Sequence, residues 1–205
     1  MRPARELPIL PPEHPLYPKA LKLASKPSQP PVLHYLGDAS LLGRPLLALF
    51  CARRCPARLI VKAQDWARSI RDQDVTIISG FHTPVELECL RVLLKGSCAL
   101  IVCPARGLPK RIPPEWREPI EEGRLLVLSF FPERQVRPTG AMAQERNRYV
   151  AALAGKLFFL HAPAGSRSLA LAQAWILSGK PLVTLPDPEN EALQSLGATP
   201  VEMRS

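Results

Sequence analysis

The chain of 205 residues lacks several motifs by which large classes of nucleotide-dependent and membrane proteins are recognised. No G-x-G-x-x-G follows an apolar, strand-like run, and no Gly-Lys-Ser or Gly-Lys-Thr phosphate loop occurs. Both absences argue against nucleotide cofactors of these kinds, so we expect no cofactor. No apolar run approaches the roughly 20 residues of a membrane-spanning helix, and the proline-rich start Met1–Glu6 lacks the apolar stretch of a secretory signal. The sequence therefore predicts a cytoplasmic protein that does not bind membranes.

The spacing of the cysteines does not suit a metal site. The chain has five cysteines, an odd number, at Cys51, Cys55, Cys89, Cys98 and Cys103. Neither the pair Cys51 and Cys55 nor the pair Cys98 and Cys103 has the spacing of zinc ligands. Three of the five lie in strand-like apolar runs, where cysteine behaves as a small hydrophobic residue. We therefore expect no bound metal.

The chain has fewer acidic residues than basic ones. It contains 18 Asp and Glu and 27 Lys and Arg, which gives a net charge of +9. The basic residues are also clustered, since the segment 40–64 contains five of them and no acid. Two further groups are Arg106, Lys110 and Arg111, and Arg134, Arg137, Arg146 and Arg148. Such clustering is typical of proteins that bind nucleic acids. The alternative interpretation is a solvated, arginine-rich surface without a partner.

Continuously apolar runs of strand length alternate with helix-like segments from Val32 onward. Strands buried on both faces of a parallel sheet have this uninterrupted apolar character. The strand candidates are Leu46–Cys51, Val75–Ser79, Ala99–Cys103, Leu125–Leu128, Leu157–Leu160, Leu182–Leu185 and Thr199–Met203. Between them, apolar residues recur at helical spacing, as in Leu59, Ala63 and Trp66, which is typical of helices packed on a sheet. The pattern predicts an α/β fold with a doubly wound, mostly parallel, Rossmann-like sheet in three αβα layers.

Proline is dense before this alternation begins. Nine prolines lie within residues 1–31, which is typical of an extended, irregular segment, and one short helix is expected near Lys19–Leu23. We therefore predict a proline-rich lead-in over residues 1–31 and one Rossmann-type domain over residues 32–205. A chain of this length can bury one full core.

The loops predicted at the carboxyl ends of the strands carry residues that can bind phosphate. Doubly wound sheets bind their ligands at this edge. The candidate residues for DNA or phosphate binding are Arg53, Arg54, Ser79, Gly80, Arg106, Arg146, Asn147, Arg148, Ser166, Arg167 and Ser168. Because basic residues placed at random would be scattered over both ends of the sheet, their clustering favours a site for an anion or a phosphate backbone.

Arg146-Asn147-Arg148 is the most informative of these segments. The run Tyr149–Ala154 is helix-like and Leu157–Leu160 is strand-like, so the three residues are predicted to lie where a loop turns into a helix. Free N–H groups and the macrodipole attract phosphate to a helix N-terminus, and each guanidinium offers five donors. The alternative is that both arginines are solvated or pair with acids such as Glu145.

One weak constellation for catalysis is present. His82 follows Ser79 on a predicted loop, and Glu86 lies one helical turn further along, where it could orient the histidine. A serine and a histidine without a firmly placed acid are poor evidence for a catalytic nucleophile. The sequence therefore favours a protein that is not an enzyme.

Several short motifs occur in a fixed order along most of the chain. Tyr17-Pro18 comes first, Ser79-Gly80 ends a strand-like run, and Gly197-Ala198 lies near the C-terminus. Between the last two, Arg146-Asn147-Arg148 leads into an apolar strand and a serine-rich loop. In order and spacing, from Tyr17 to Val201, these motifs resemble the DNA-processing protein A (DprA/Smf) family.

The resemblance implies a function as well as a fold. Members of this family bind single-stranded DNA without catalysis, in DNA processing and recombination during transformation. The resemblance further implies that the protein helps to load a RecA-type recombinase and forms a homodimer with one basic groove across two subunits. Because the chain ends soon after the Rossmann-type core, we expect a stand-alone, minimal form.

Several positions depart from the family pattern. Cys51-Ala52-Arg53 stands where the family has Gly-Ser-Arg, and Ser166-Arg167-Ser168 stands where it has Ser-Gly-Ser. After Ser79-Gly80, Pro84 takes the place of a glycine and Glu86 that of an aspartate. These departures leave two alternatives open: a sensor of a nucleotide or phosphate ligand on the same fold, and a degenerate protein-interaction module that has lost the site.

Overall fold

The structure, a computed structural model, describes residues 8–25 and 29–201. The strands are β1 (Ile9–Leu10), β2 (Leu33–Leu36), β3 (Leu46–Cys51), β4 (Thr76–Ser79), β5 (Ala99–Val102), β6 (Leu125–Ser129), β7 (Lys156–His161), β8 (Leu182–Thr184) and β9 (Thr199–Pro200). The α-helices are α1 (Lys19–Ala24), α2 (Ala57–Ile70), α3 (Pro84–Leu93), α4 (Pro114–Glu121), α5 (Gly140–Leu153), α6 (Arg167–Ile176) and α7 (Glu191–Ser195). Residues 1–7 and 26–28 of the predicted lead-in, and residues 202 and 203 of the last predicted strand, lie outside the described residues.

All nine strands form one sheet, in the order β1-β2-β6-β5-β4-β3-β7-β8-β9. Every neighbouring pair from β6 to β9 is parallel. The chain proceeds from β3 outward to β6, then crosses back over β3 to build β7, β8 and β9 on the other side. The doubly wound, mostly parallel, three-layer fold predicted from the sequence is confirmed.

Helices cover both faces of the sheet and bury two apolar clusters. One cluster lies under α1, α5, α6 and α7 and includes Phe50 and Phe159, whose rings stack with centroids 5.0 Å apart. The other lies under α2, α3 and α4 and includes Trp66 and Phe158, whose ring centroids are 4.6 Å apart. Because consecutive strand residues point to opposite faces, Phe158 and Phe159 anchor one cluster each. The strands are apolar throughout because each contributes to two cores.

Two short antiparallel strands extend the sheet beyond β6, and the sequence does not predict them. Ile9 of β1 pairs with His34 of β2, and His34 in turn pairs with Ser129 of β6. Tyr17, between β1 and α1, is buried, and its hydroxyl donates to the carbonyl of Pro31 at 2.8 Å. The described part of the proline-rich lead-in therefore belongs to the same sheet and the same core as the rest of the domain.

Helix α5 begins earlier than predicted. Thr139 caps it, because its Oγ1 accepts from the N–H of Met142 at 3.2 Å. The first turn consists mainly of small residues without an apolar stripe, so periodicity does not reveal it. Arg146 consequently lies in the second turn of α5. The prediction that Arg146-Asn147-Arg148 stands at a helix N-terminus is wrong.

Buried polar contacts fasten the ends of helices to their neighbours. Lys180 donates through Nζ to the last carbonyl groups of α5, at 2.7–2.8 Å, and so caps that helix. Its burial lowers the pKa of the ammonium group. Asp187, in the loop after β8, accepts from Arg58 and Lys62 of α2 at 3.0 and 2.9 Å. The loop after β8 is thereby held against α2.

Three findings on the described part of the chain concern membranes, metals and thiols. No helix within residues 8–25 and 29–201 combines the length and the apolar character needed to cross a bilayer. Over the same ranges, no three His, Cys, Asp or Glu side chains are grouped as the ligands of a metal ion would be. All five cysteines, each of which the structure describes, are free thiols.

Candidate nucleic-acid interface

Five loops lie side by side at the carboxyl ends of the parallel strands. In sheet order they follow β6, β5, β4, β3 and β7, and they comprise residues 130–139, 103–113, 80–83, 52–56 and 162–166. The strand order reverses between β3 and β7, and doubly wound sheets bind ligands in the crevice outside such a switch point. The structure therefore brings Arg53, Arg54, Gly80 and Arg106 to one edge. We call these five loops the strand-end row.

Arg53 and Arg54 occupy the loop directly beside the switch point, with both side chains exposed. The N–H of Ala52 donates to the carbonyl of His161 in β7 at 2.8 Å, which fixes the start of this loop. None of the ion pairs among the described residues includes Arg53 or Arg54. Both guanidiniums are thus available to an anion from solvent.

Arg146 lies beneath the strand-end row and is only 3% exposed. Its Nη1 donates to the carbonyl of Cys103 at 2.6 Å, and its Nε donates to Oδ1 of Asn147 at 2.7 Å. Burial lowers the pKa of the guanidinium, while the negative charge of nearby Glu86 acts in the opposite direction. Nη1 therefore connects α5 with the loop after β5, whereas Nε bonds within α5, and both nitrogens serve the fold.

Because Gly80 has no side chain, the guanidinium of Arg146 can lie directly against it. A Cβ added to Gly80 would stand 1.5 Å from Nη1 of Arg146. The next residue, Phe81, has a φ of 42°, and its N–H donates to Oγ of buried Ser79 at 3.1 Å. Left-handed backbone at such a residue stores about 1–3 kcal/mol of strain, so the surrounding structure must enforce it. The predicted site residues Ser79 and Gly80 therefore shape the loop after β4.

Glu86 joins the two central loops, a role that the sequence analysis missed. Its Oε1 accepts from the N–H of Cys51 at 2.8 Å, and its Oε2 accepts from the N–H groups of His82 and Thr83 at 2.8 and 3.1 Å. Oγ1 of Thr83 accepts from the N–H of Glu86, which completes a capping box at the start of α3. The spacing of Thr83 and Glu86 is the sequence signature of that motif. Buried Glu86 thereby fixes the end of β3 relative to the loop after β4.

The loops after β5 and β6 extend the positive charge away from the switch point. Their exposed cations are Arg106, Lys110, Arg111, Arg134 and Arg137. The N–H of Gly107 donates to the carbonyl of Gln135 at 2.8 Å, and Oγ of Ser129 donates to the carbonyl of Arg106 at 2.7 Å. These contacts tie the two loops together, so their exposed cations lie beside one another at the same edge of the sheet as Arg53 and Arg54.

The remaining predicted residues lie around α6. A groove of about 840 Å³ separates α5 from α6. Its walls include Asn147, Arg148, Arg167, Ser168, Leu171 and Trp175. Ser166 stands just before it and caps α6, since its Oγ accepts from the N–H of Leu169 at 3.1 Å. The predicted site residues therefore divide between the strand-end row and this α5–α6 groove.

The sequence profile of the DNA recombination-mediator protein A family matches residues 8–201 of the chain. This chain belongs to that family. Comparison with curated protein sequences finds no match. The family match spans β1 to β9, so both the strand-end row and the α5–α6 groove lie within the matched residues.

Solved structures of DNA processing protein A have the same fold as this family member. The protein from Streptococcus pneumoniae superposes with a TM-score of 0.77 at 20% identity, over 96% of this chain and 71% of the other. The protein from Helicobacter pylori, whose structure concerns its unique single-stranded DNA binding mode, gives 0.70 at 26% identity, over 89% of this chain and 86% of the other. A molybdenum cofactor carrier protein from Chlamydomonas reinhardtii gives 0.52 at 14% identity, over 78% and 90%, and shares the fold only.

The candidate residues of this recombination-mediator family member thus differ in what they can contact. The exposed cations are Arg53, Arg54, Arg106, Arg148 and Arg167. Ser79 and Arg146 are buried and hold the loops in shape. An interface for a polyanion would therefore be formed by the first set and positioned by the second.

Proposed function

We propose that this protein binds single-stranded DNA along the strand-end row and acts in DNA recombination without catalysing a reaction. The observation that carries the proposal is the position of Arg53 and Arg54, two exposed guanidiniums beside the switch point. The role of the family in recombination and the DNA binding of the protein from Helicobacter pylori support the choice of ligand.

Phosphate is the part of DNA that these loops suit. Guanidinium groups bind phosphate oxygens through paired, charge-assisted hydrogen bonds. Neighbouring strands lie about 4.8 Å apart, so the five loops form a path of about 20 Å. Phe130 and Phe131 are buried, and Trp116 packs against the second core cluster, so these rings offer little surface for base stacking. We therefore expect binding with weak preference for base sequence.

The contacts of Glu86 support a function without catalysis. Both of its carboxylate oxygens accept from backbone N–H groups, so it orients the loop. No ion pair among the described residues includes the exposed His82. A histidine without an acid to orient it is poorly placed for acid–base chemistry.

A homodimer and a RecA-type recombinase partner complete the proposed function. The end of α6 supports a contact between subunits, because Leu177 is 91% exposed next to the partly buried Trp175 and Ile176.

A purified RecA-type recombinase should assemble faster on single-stranded DNA that carries this protein than on bare DNA. Equal assembly rates would remove the recombinase from the proposal.

A fluorescence polarisation titration tests the proposed ligand. Labelled single-stranded DNA, duplex DNA and a mononucleotide are compared at several salt concentrations. We expect the single strand to bind most tightly, with log K falling against log salt at a slope of about −0.7 for each phosphate neutralised. An affinity that stays the same between low and moderate salt would contradict phosphate binding.

The α5–α6 groove favours a second candidate function, a sensor of a nucleotide or phosphate ligand. Its volume of about 840 Å³ lies within the range of small-molecule sites, about 300–1,000 Å³, and Arg148 and Arg167 line it. A mononucleotide that raises the melting temperature while single-stranded DNA does not bind would select this function. If neither ligand binds, the remaining alternative is a protein-interaction module that has lost the site.

A further inference from the structure

Two cysteines flank the arginines of the central loop. Cys51 is the last residue of β3, and Cys55 immediately precedes Pro56, the capping position of α2. Only three residues separate them, and two of these are Arg53 and Arg54. Cys51 is buried in the apolar cluster under α2 and α3, and the side chain of Cys55 packs against the same cluster. The two thiols therefore stand at the two ends of the loop that presents the guanidiniums, against one apolar cluster.

The two thiols differ in exposure and in acidity. Cys55 is half-buried, and its thiol donates to the carbonyl of Pro56 at 3.8 Å. Interaction with the thiol of Cys51 lowers the pKa of Cys55, against the effects of partial burial and of the negative charge of Asp187. The same interaction, together with burial, raises the pKa of Cys51. The start of a 14-residue helix lies directly after Cys55, and helix N-termini favour thiolate. Cys55 is thus suited to attack an oxidant, and Cys51 is placed to react with the product.

The other three cysteines are chemically unlike this pair. Burial raises the pKa of Cys89 and of Cys103 to about 12, and that of Cys98 to about 11. All three are buried. Oxidation follows thiolate character and exposure, so a peroxide should react with Cys55 first.

We propose that Cys51 and Cys55 form a reversible disulfide on reaction with a peroxide, and that the oxidised protein has a lower affinity for single-stranded DNA. The effect on affinity rests on the proposed function, whereas formation of the disulfide does not. The pair would make the central loop a site of covalent modification within the candidate interface.

The chemistry proceeds in two balanced steps. The Cys55 thiolate attacks one oxygen of hydrogen peroxide, the O–O bond breaks, and the hydroxide that leaves takes up a proton to give water. The sulfenic acid on Cys55 is then attacked by the sulfur of Cys51. The S–S bond forms, the S–O bond breaks, and the departing hydroxide leaves as water with the proton of Cys51. Two thiols and one peroxide thus give one disulfide and two waters, and a dithiol reverses the change by exchange.

The loop, rather than the strand, must adjust to the disulfide. The N–H of Cys51 donates to Glu86 and that of Ala52 donates to His161, so the end of β3 is held on both sides. A disulfide requires Cα atoms about 4.4–6.8 Å apart and a defined torsion about the S–S bond. Any change in backbone conformation that the disulfide requires therefore falls on Arg53, Arg54 and Cys55. Guanidiniums that move with this backbone lose their alignment with phosphate.

The test uses the full chain, first reduced and then exposed to hydrogen peroxide. Intact mass, with alkylation of the remaining thiols and peptide mapping, reports whether the protein loses two hydrogen atoms between Cys51 and Cys55. Polarisation titration with single-stranded DNA is performed on the reduced, oxidised and re-reduced samples. We expect the disulfide to form, the Kd to rise about tenfold, and dithiothreitol to restore it.

Two variants sharpen the result. Cys55→Ser changes a partly exposed residue, and it should abolish both the loss of hydrogen and the effect of peroxide on affinity. Cys98→Ala serves as the matched control. Cys98 lies just before β5, at the amino end of that strand and therefore away from the strand-end row, so this variant should respond like the native protein. Absence of the disulfide in the native protein, or its formation between other cysteines, would overturn the proposal.

The outcomes also separate this proposal from the proposed function. A disulfide that forms while the affinity changes by less than about twofold overturns the effect on DNA binding. If the reduced protein binds no DNA, the proposed function fails, and with it the effect on affinity. The mass measurement still decides whether the two cysteines are a redox pair.

Discussion

Among single residues, Arg146 and Gly80 depend on each other most directly. A Cβ on Gly80 would stand 1.5 Å from Nη1 of Arg146, and that nitrogen also donates to the carbonyl of Cys103. Replacing Arg146 with alanine would remove the donor and open a cavity under the strand-end row. We therefore expect Arg146→Ala to lower the free energy of unfolding by about 2–4 kcal/mol, measured by urea denaturation.

A double-mutant cycle tests this dependence. Gly80→Ala should destabilise the native protein, because the added methyl group meets the guanidinium. In the Arg146→Ala background the same methyl group has room, so the two losses should not add. Unchanged stability of Arg146→Ala, together with weaker DNA binding, would contradict the structural role and favour the phosphate contact predicted from the sequence.

Arg53 and Arg54 should behave in the opposite way. Both side chains are exposed, so replacing either with alanine should leave the melting temperature nearly unchanged. Each replacement should weaken binding of single-stranded DNA by roughly 1–3 kcal/mol, the scale of hydrogen bonds to charged groups. Polarisation titration measures the loss.

The matched control for these two variants is Arg68→Ala. Arg68 is an exposed arginine in the last turn of α2, at the other end of that helix, where it pairs with Asp65. Its replacement removes the same charge away from the strand-end row. Equal losses of affinity in Arg68→Ala and Arg53→Ala would show that net charge, and not the loop, governs binding.

The exposure of Arg53 and Arg54 is easier to predict from the sequence than the burial of Arg146. Arg53 and Arg54 follow a strand in a polar loop, where exposure is the simple expectation. Arg146 belongs instead to the face of α5 that contains Tyr149 and Val150, three and four residues further on, and all three are buried. Recognising the helix from Gly140 onward would have placed Arg146 on that buried face.

At the level of elements, the contact between α2 and the loop after β8 depends on one carboxylate. The side chain of Asp187 is 1% exposed and pairs with Arg58 and Lys62. Burial acts to raise the pKa of Asp187, but the hydrogen bonds from these two cations prevail and hold it well below its usual range. A lowered carboxyl pKa stabilises the fold above the unfolded-state value of about 3.9, and this stabilisation is lost as the pH falls below that value.

The variant Asp187→Asn should reveal this dependence. At pH 7 we expect it to be less stable than the native protein, because two cations lose their partner. The difference in free energy of unfolding should shrink as the pH falls below about 4, where the native carboxylate begins to lose its advantage. Urea denaturation across this range measures the difference.

The control for that measurement is Asp74→Asn. The side chain of Asp74 is 91% exposed and pairs with Arg44 at the surface, so its replacement should matter little at any pH. A difference between native protein and Asp187→Asn that stays constant with pH would show that the packing of Asp187, and not its charge, holds the loop.

Elements buried on both faces were predictable, and elements with one exposed side were not. Strands β3 to β8 coincide with the strand candidates because residues shared by two cores leave an uninterrupted apolar run. β1 and β2 lie at the antiparallel edge, where Ile9 is half-exposed and His34 and Tyr35 are partly buried. Such short, mixed runs beside prolines do not differ from a loop in composition.

For the whole molecule, the proposed homodimer gives the next prediction. Native protein should behave as a dimer in light scattering, and Leu177→Glu should shift it towards a monomer. Leu177 is 91% exposed, so the substitution should not disturb the fold. Leu87→Glu is the control and should leave the dimer intact. Leu87 is an exposed side chain of α3, which covers the opposite face of the sheet from α6. A native monomer at high micromolar concentration, with DNA binding intact, would contradict the dimer.

The antiparallel edge of the sheet governs the order in which the chain can fold during synthesis. His34 pairs with Ser129, so β2 leaves the ribosome roughly 95 residues before its partner strand β6. At about 5–20 residues per second, β1 and β2 wait roughly 5–20 s for that partner. Proline has no N–H with which to join a wrong strand, and the segment around β1 is rich in it. We therefore expect the prolines to protect this early-emerging edge from mispairing until the centre of the sheet has been made.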